Sequence, residues 1–243
     1  AKVNIASKKH PMPYDPANLS FSLSYSTTEN SGSTINWENK LNWKASINYN
    51  YSSPIKTIKP FANIKSKSKW TRILKDWGIN PLPQSIGANT DMIRNYHEMQ
   101  RRDLNAIDGG ENIPLTFSQQ FYWNRNFTMK WDPTTNLKMN ISTGTNAEIE
   151  EPFLPVNKER FPNEYAIWKD SVKRSIKDFG RPLSYQQSFT ASYNLPINKL
   201  PIFEWISSAD INYTASYNWA RGNNVNNINL GNNISNKRNV TLK

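Results

Sequence analysis

The segment YHEMQ places His97 directly before Glu98, which is how a zinc-protease motif begins. That motif needs a second histidine four residues after the first, and this position is Arg101. The chain has no cysteine, which excludes thiolate chemistry, and the only other histidine is His10, so a Ser–His pair or a histidine metal site is disfavoured. We therefore predict no catalytic residue, no metal site and no enzymatic activity.

Three acidic residues, Glu148, Glu150 and Glu151, lie together just before Pro152. Carboxylates so close in sequence could bind calcium or act as an acid–base pair. A solvated loop is the simpler interpretation, because surface loops commonly carry such residues. The sequence contains no glycine-rich phosphate-binding loop, and we predict no cofactor.

The formal net charge of +11 has its densest source in residues 56–75, which include no acidic residue. We interpret this basic run as a solvated loop with one short helix. Docking to an anionic headgroup or to an acidic partner is the alternative. No recognised nucleic-acid-binding module surrounds the run, so we predict no nucleic-acid partner.

Long β-strands are the elements that would position all these residues. Apolar and polar residues alternate strictly from Leu41 to Tyr51, which is typical of a strand with one apolar and one polar face. The same pattern predicts nine strand segments, the first of them truncated. The others lie near residues 19–26, 41–51, 85–98, 115–131, 137–145, 183–195, 205–219 and 228–243.

Two helices are predicted to interrupt the strands, near residues 68–77 and 163–179. In the second, apolar residues recur at helical spacing, with Asn163 as the expected N-cap and Gly180 as the stop. The apolar stripes of both helices are predicted to be packing faces.

The strand lengths favour a membrane protein. Ordinary strands have about five or six residues, whereas a strand that crosses a bilayer needs about 9–11. Aromatic residues make up 12% of the chain, and several lie towards strand ends, as in an interfacial girdle. We predict an all-β fold, a transmembrane antiparallel β-barrel segment with two short helices in loops. Residues 1–243 would form part of one large outer-membrane barrel, and both ends read as strand interiors of a longer chain.

The alternation also predicts which side chains face lipid and which face a watery lumen. The candidates for contact with lipid are Trp43, Ile47, Ala209, Ile211, Tyr213, Ala215 and Tyr217. The candidates for the lumen are Asn42, Lys44, Asn48, Ser208, Asn212 and Ser216.

A turn sequence occurs twice, as YDPANL from Tyr14 and as WDPTTNL from Trp131. Aspartate can accept hydrogen bonds from following amides, and proline fixes φ at the first corner of a turn. In an up-and-down meander, short turns near residues 11–17, 132–136 and 196–202 fall at one end of the sheet. Long connections near residues 29–40, 101–114 and 148–182 fall at the other end, whereas the long basic stretch 53–84 is an exception at the short-turn end.

Several segments carry a resemblance to a known family. They are PYDPANLSFSLSY, NPLPQSIGANTDMIRNYHEMQRRDL, WDPTTNL, LPINKLPIFEW, YTASYNWARG and GNNISNKRNV, in that order along the chain. Together they resemble the SprA/Sov family, the outer-membrane translocons of the type IX secretion system of Bacteroidetes.

The resemblance implies a giant single-chain barrel that serves as a conduit for folded cargo proteins with C-terminal sorting domains. It also implies a lateral opening occupied by a PorV-like barrel, and a periplasmic plug protein. The family has no catalytic residues to transfer to this sequence. On the meander scheme, the 163–179 helix lies in an outer loop, where it could cap the pore or contact a surface partner.

Two alternatives stay open at this point. One is another outer-membrane barrel, such as a porin or a nutrient transporter. The other is a soluble β-sandwich that binds glycans through surface aromatics, which requires the apolar face to pack against a second sheet.

Overall fold

The computed structural model describes residues 2–4, 12–54, 56–64, 71–103, 113–197, 209–222, 224–225 and 228–243. Within these ranges, nine strands form one antiparallel sheet. They are β1 (Lys2–Asn4), β2 (Leu19–Asn30), β3 (Ile35–Ser52), β4 (Ser85–Arg101), β5 (Thr116–Trp131), β6 (Leu137–Glu148), β7 (Arg181–Leu195), β8 (Ala209–Ala220) and β11 (Asn233–Leu242). Two short strands, β9 (Asn224–Val225) and β10 (Ile228–Asn229), pair only with each other.

The sheet is a meander, because each of β1 to β8 pairs with its neighbours in sequence, and β11 then pairs with β8. It is open, with β1 and β11 as its edges. The predicted all-β class, the antiparallel meander and the two helices are confirmed. The predicted strand 205–219 is described from Ala209 onwards, and its first residues lie outside the described part of the chain.

The strands are long because their alternation continues without a break. Register between β3 and β4 runs from Ser52 opposite Ser85 to Ile35 opposite Arg101, with one irregularity beside Trp37. Since side chains alternate between faces, a constant register keeps each strand's apolar residues on the same side as those of its neighbours.

The two ends of the sheet differ in their connections. The turn end carries the β5–β6 turn at residues 132–136 and the long basic connection 53–84, as the meander scheme predicts. The loop end carries the connection 149–180 between β6 and β7. The prediction of a long connection at 29–40 is wrong, because β2 and β3 pair up to Asn30 and Glu38, and only residues 31–34 separate the strands.

The two Asp-Pro turns have different structures. Asp15 accepts a hydrogen bond from the Ala17 amide at 3.0 Å and caps a short 3-10 helix, Pro16–Asn18, that leads into β2. In the second turn, the Thr134 hydroxyl accepts from the Leu137 amide at 3.1 Å. The side chain of Asp132 accepts from the amide of Gln84 instead, across the sheet's turn end.

The basic connection 53–84 folds back on the β5–β6 turn. Ile79 bridges both Ile58 and Thr134, and the Asn80 side chain donates to the Asp132 carbonyl at 2.7 Å. Helix α1 (Thr71–Asp76) lies between Ile58 and Ile79 in this connection. It is shorter than the predicted helix 68–77, whose first residues lie outside the described ranges.

Helix α2 (Pro162–Lys177) lies in the loop-end connection, where the sequence predicts it. The predicted N-cap Asn163 is wrong, because the helix starts one residue earlier and Phe161 takes the cap position without a side-chain hydrogen bond. Proline tolerates this first position because its missing N–H would have no partner in the helix. Gly180 ends the helical segment as predicted, with φ 69° and its amide donating to the Ser175 carbonyl at 2.8 Å. Neither described helix is long and apolar enough to span a membrane.

Candidate functional site: a two-faced sheet

One surface of the sheet, the apolar face, carries the seven residues predicted to contact lipid. A row of directly paired residues leads across it from β3 to β8: Ile47, Thr90, Arg125, Thr145, Tyr185 and Trp219. Trp43 lies on this face because it is four residues from Ile47 in β3. The alternate residues of β8 from Ala209 to Tyr217 lie on it because they share the parity of Trp219.

The opposite surface, the polar face, carries the residues predicted to line a lumen. Its paired row from β3 to β8 is Asn48, Asn89, Asn126, Gly144, Gln186 and Asn218. The Asn89 amide donates to the Asn48 side chain. Asn42, Lys44, Asn212 and Ser216 share this face by alternation, whereas Ser208 lies outside the described residues.

Much of the apolar face is open to its surroundings. Leu23 is 53% exposed, Tyr25 62% and Val240 66%, and Phe21 and Ile47 are also exposed. Soluble monomers rarely leave an apolar surface this extended uncovered. The exposed apolar face is therefore the feature that any function must account for.

Helix α2 covers the apolar face only at the loop end. Its Val172 packs with Phe121 of β5 and with Ile149 in a small buried cluster. Trp43 contacts Phe121 edge to face, with ring centroids 5.2 Å apart. The helix thus packs on the apolar face, and the predicted lipid-contact residue Trp43 lies beside this covered region.

A buried ion pair fastens the loop-end connection to the sheet. Arg94 Nε of β4 donates to Glu151 Oε1 at 2.6 Å, and the two side chains are only 5% and 3% exposed. The indole of Trp168 in α2 donates to the same carboxylate oxygen at 2.9 Å. The guanidinium also lies 4.5 Å from the centroid of the Trp168 ring, a cation–π distance.

A second buried carboxylate, Glu98, holds the segment that precedes α2. It accepts from the Tyr96 hydroxyl at 2.7 Å and from the Asn157 amide at 3.2 Å. The Tyr96 oxygen in turn accepts from the Val156 backbone amide at 3.0 Å. These polar residues on the apolar face are therefore anchors for the loop-end connection.

The sequence-based interpretations of the acidic residues change accordingly. The solvated-loop interpretation is wrong for Glu151, which is buried against Arg94, while Glu148 pairs with Arg181 at 2.6 Å. His97 and Glu98, adjacent in sequence, point to opposite faces of β4, and His97 contacts Glu38 at 2.8 Å. Among the described residues, no group of three acidic or histidine side chains could hold a metal ion.

The loop anchors escaped the sequence analysis because each looks ordinary on its own. One sequence feature could have revealed them: Arg94 and Glu98 occupy apolar-face positions in the alternation of β4. A charge at such a position needs a polar or oppositely charged partner from another segment. The partner of Arg94 is Glu151, 57 residues later in the chain, and the sequence alone does not show that the two residues meet.

A scan against protein-family models gives no match to this chain, and a search of curated proteins finds no significantly similar sequence.

Proposed function

We propose that the chain forms part of the wall of a large outer-membrane β-barrel, with the apolar face towards lipid and the polar face towards an aqueous lumen. The observation that carries this proposal is the exposed apolar face of strands 10 to 18 residues long. Barrel walls combine these two properties, since their strands cross about 25 Å of lipid and alternate between apolar and polar surroundings.

The soluble sandwich explains these features less well. In a sandwich, the apolar face packs against a second sheet about 10 Å away. In the described part of the chain, α2 and its flanking segment cover this face at the loop end. At the turn end, Pro13 and Asn80 reach its border, where their carbonyls accept from Tyr49 and Trp131, and the face between the two ends stays open. Exposed residues such as Leu23 and Val240 would then face water, which disfavours that alternative.

We propose further that the barrel is a protein-export translocon, on the strength of the sequence segments that resemble the SprA/Sov family. The partners would be outer-membrane lipid, secreted cargo proteins with C-terminal sorting domains, a PorV-like barrel and a periplasmic plug protein. The amide-rich polar face supports this proposal, because a conduit for folded proteins must not bind them through apolar patches.

The wall proposal is tested with single cysteines, which the cysteine-free segment makes simple to interpret. Cysteines replace Ile211, Asn212, Ala215 and Ser216 one at a time in the whole protein, freed of any other cysteine, in intact membranes. A water-soluble maleimide should label positions 212 and 216, whereas positions 211 and 215 should stay unlabelled. A probe carried by lipid should report positions 211 and 215 only.

If positions 211 and 215 stay unlabelled by the maleimide and also do not respond to the lipid probe, the result contradicts the wall proposal and favours the sandwich. The translocon proposal needs its own measurement, which is depletion of the protein followed by fractionation of the cells. Cargo with C-terminal sorting domains should then accumulate in the periplasm. Loss of small-solute permeability with normal cargo export would identify a porin or nutrient transporter instead.

A further inference from the structure

Arg125 is a charged residue in the middle of the apolar face. It lies on β5, directly opposite Thr90 on one side and Thr145 on the other. No described residue forms an ion pair or a hydrogen bond with its guanidinium, and its Nε is buried without a hydrogen-bond partner. Arg94 on the same face differs, because Glu151 compensates its charge.

Two aromatic rings hold the Arg125 guanidinium in place. It lies 4.7 Å from the ring centroid of Trp123 and 5.6 Å from that of Phe179, and the two rings stack at 5.8 Å. Phe179 has φ 61°, an uncommon conformation for a bulky residue. With this backbone conformation just after α2, its ring stacks on that of Trp123. Cation–π contacts position the charge without using its hydrogen-bond donors, and since Nε is buried, the two Nη groups are the donors that a ligand can reach.

A hollow of about 490 Å³ adjoins Arg125 on the apolar face. It is lined by short side chains, Ala88, Thr90 and Thr143, and by larger ones such as Ile47 and Phe127. Arg125 itself contributes to the lining. The hollow is therefore largely apolar with a single positive charge, which fits an amphiphile with an anionic head.

The position of Arg125 along the strand places it a little past the middle of the apolar face, counted from the turn end. It precedes Trp131 at the turn end by six residues, a distance of about 20 Å along an extended strand. Barrel strands tilt by about 35–45°, so this distance is a rise of about 15 Å, and Arg125 lies just beyond the middle of an apolar band about 25 Å tall. Its long cationic side chain can extend from there towards the loop-end interface.

We propose that Arg125 and this hollow bind an anionic phospholipid, with the phosphate on the guanidinium and the start of an acyl chain in the hollow. The inference rests on the proposed function, since it requires lipid on the apolar face. Charge complementarity selects this occupant: an uncompensated arginine is costly in a membrane, and a guanidinium binds phosphate through two parallel hydrogen bonds.

The test uses the whole protein in mixed micelles and measures quenching of tryptophan fluorescence by brominated lipids. Brominated phosphatidic acid carries a phosphate monoester, and brominated phosphatidylcholine with identical chains is the comparison. The wild-type protein should bind phosphatidic acid at least about tenfold more tightly, which is the effect of one charged hydrogen bond. A Trp123→Phe variant identifies how much of the quenching comes from the ring beneath Arg125.

Three variants separate the parts of the site. Arg125→Gln should remove the preference for phosphatidic acid, whereas Lys130→Gln should keep it, because that control removes the same charge from the polar face of the same strand. Ala88→Phe fills the hollow and leaves the guanidinium in place. It should weaken binding of phosphatidic acid. This variant tests the site independently, so the proposal can be decided even if Arg125→Gln fails to fold.

The outcomes distinguish this inference from the proposed function. Quenching by phosphatidylcholine without a preference for phosphatidic acid overturns the lipid site and leaves the barrel wall standing. No quenching by either lipid overturns both. Displacement of phosphatidic acid by an equal concentration of inorganic phosphate also overturns the lipid site, because the hollow would then contribute nothing to binding.

Discussion

At the scale of single residues, the apolar face carries several arginines, among them Arg238 opposite Ala215, and the sheet handles Arg94 and Arg125 in different ways. Arg94 is buried and paired with Glu151, so its charge is compensated inside the protein. Arg125 lacks such a partner among the described residues and lies between aromatic rings at the border of an apolar hollow. The first arrangement fixes a loop, whereas the second leaves donors available to an outside molecule.

Removing one member of the Arg94–Glu151 pair should release α2 from the sheet. We expect Glu151→Leu to lower the free energy of local opening by about 3 kcal/mol, because it leaves a buried charge unpaired. The double variant Arg94→Met with Glu151→Leu should recover most of that loss. Hydrogen exchange of the α2 amides, followed by mass spectrometry, measures both effects.

The matched control is Arg181→Gln, which breaks an ion pair with Glu148 that is 44% exposed on the arginine side. Exposed pairs contribute about 0 to 1 kcal/mol, so α2 exchange should change little. Equal effects of the buried and exposed substitutions would show that Glu151 does not hold the helix.

At the scale of elements, the return from α2 into β7 depends on one glycine. Gly180 has φ 69°, and a Cβ atom built there would lie 2.8 Å from the Glu148 carbonyl oxygen. This tight turn brings the chain from the end of α2 back to the end of β6. It also places Phe179 against Trp123.

Gly180→Ala should therefore destabilise the junction by about 1 to 2 kcal/mol, the cost of a left-handed conformation for a residue with a Cβ atom. Gly32→Ala is the control, since Gly32 lies in the β2–β3 turn with nothing within 4 Å of its Cβ position. Limited proteolysis of the 149–180 connection measures the difference. Equal protection of both variants would contradict the role assigned to Gly180.

The predictability of these elements follows from where the alternation holds. Near the turn end, one face is apolar, and period two locates β5 and β7 to within a few residues. Towards the loop end, both faces of β2 and β3 become polar, with Thr27 and Glu29 on one strand and Asn39 opposite the latter. The apolar–polar alternation disappears there although the backbone pairing of β2 with β3 continues. For this reason the sequence predicts a long loop where the structure has a tight hairpin.

At the scale of the whole molecule, the two faces offer a direct comparison of surroundings. Ile141 lies on the apolar face of β6, opposite Met129 and Phe189, and the next residue, Ser142, lies on the polar face. The wall proposal assigns lipid to the first and water to the second.

Ile141→Arg should cost about 2 to 4 kcal/mol if it faces the middle of a bilayer, whereas Ser142→Arg should cost close to nothing on a lumen face. Denaturant titration of the whole protein folded into lipid vesicles measures both free energies of unfolding. A similar cost at the two positions would contradict the assignment of the faces.

The order of the strands also has a kinetic consequence. Each strand from β2 to β8 pairs with the one before it, so each new strand has its partner already synthesised and forms contacts that are local in sequence. The two long connections slow this process little, since doubling the length of a loop costs only about 0.6 kcal/mol of closure entropy. The sheet can thus grow in the direction of synthesis, and within the described residues β11 reaches β8 after the small β9–β10 ribbon.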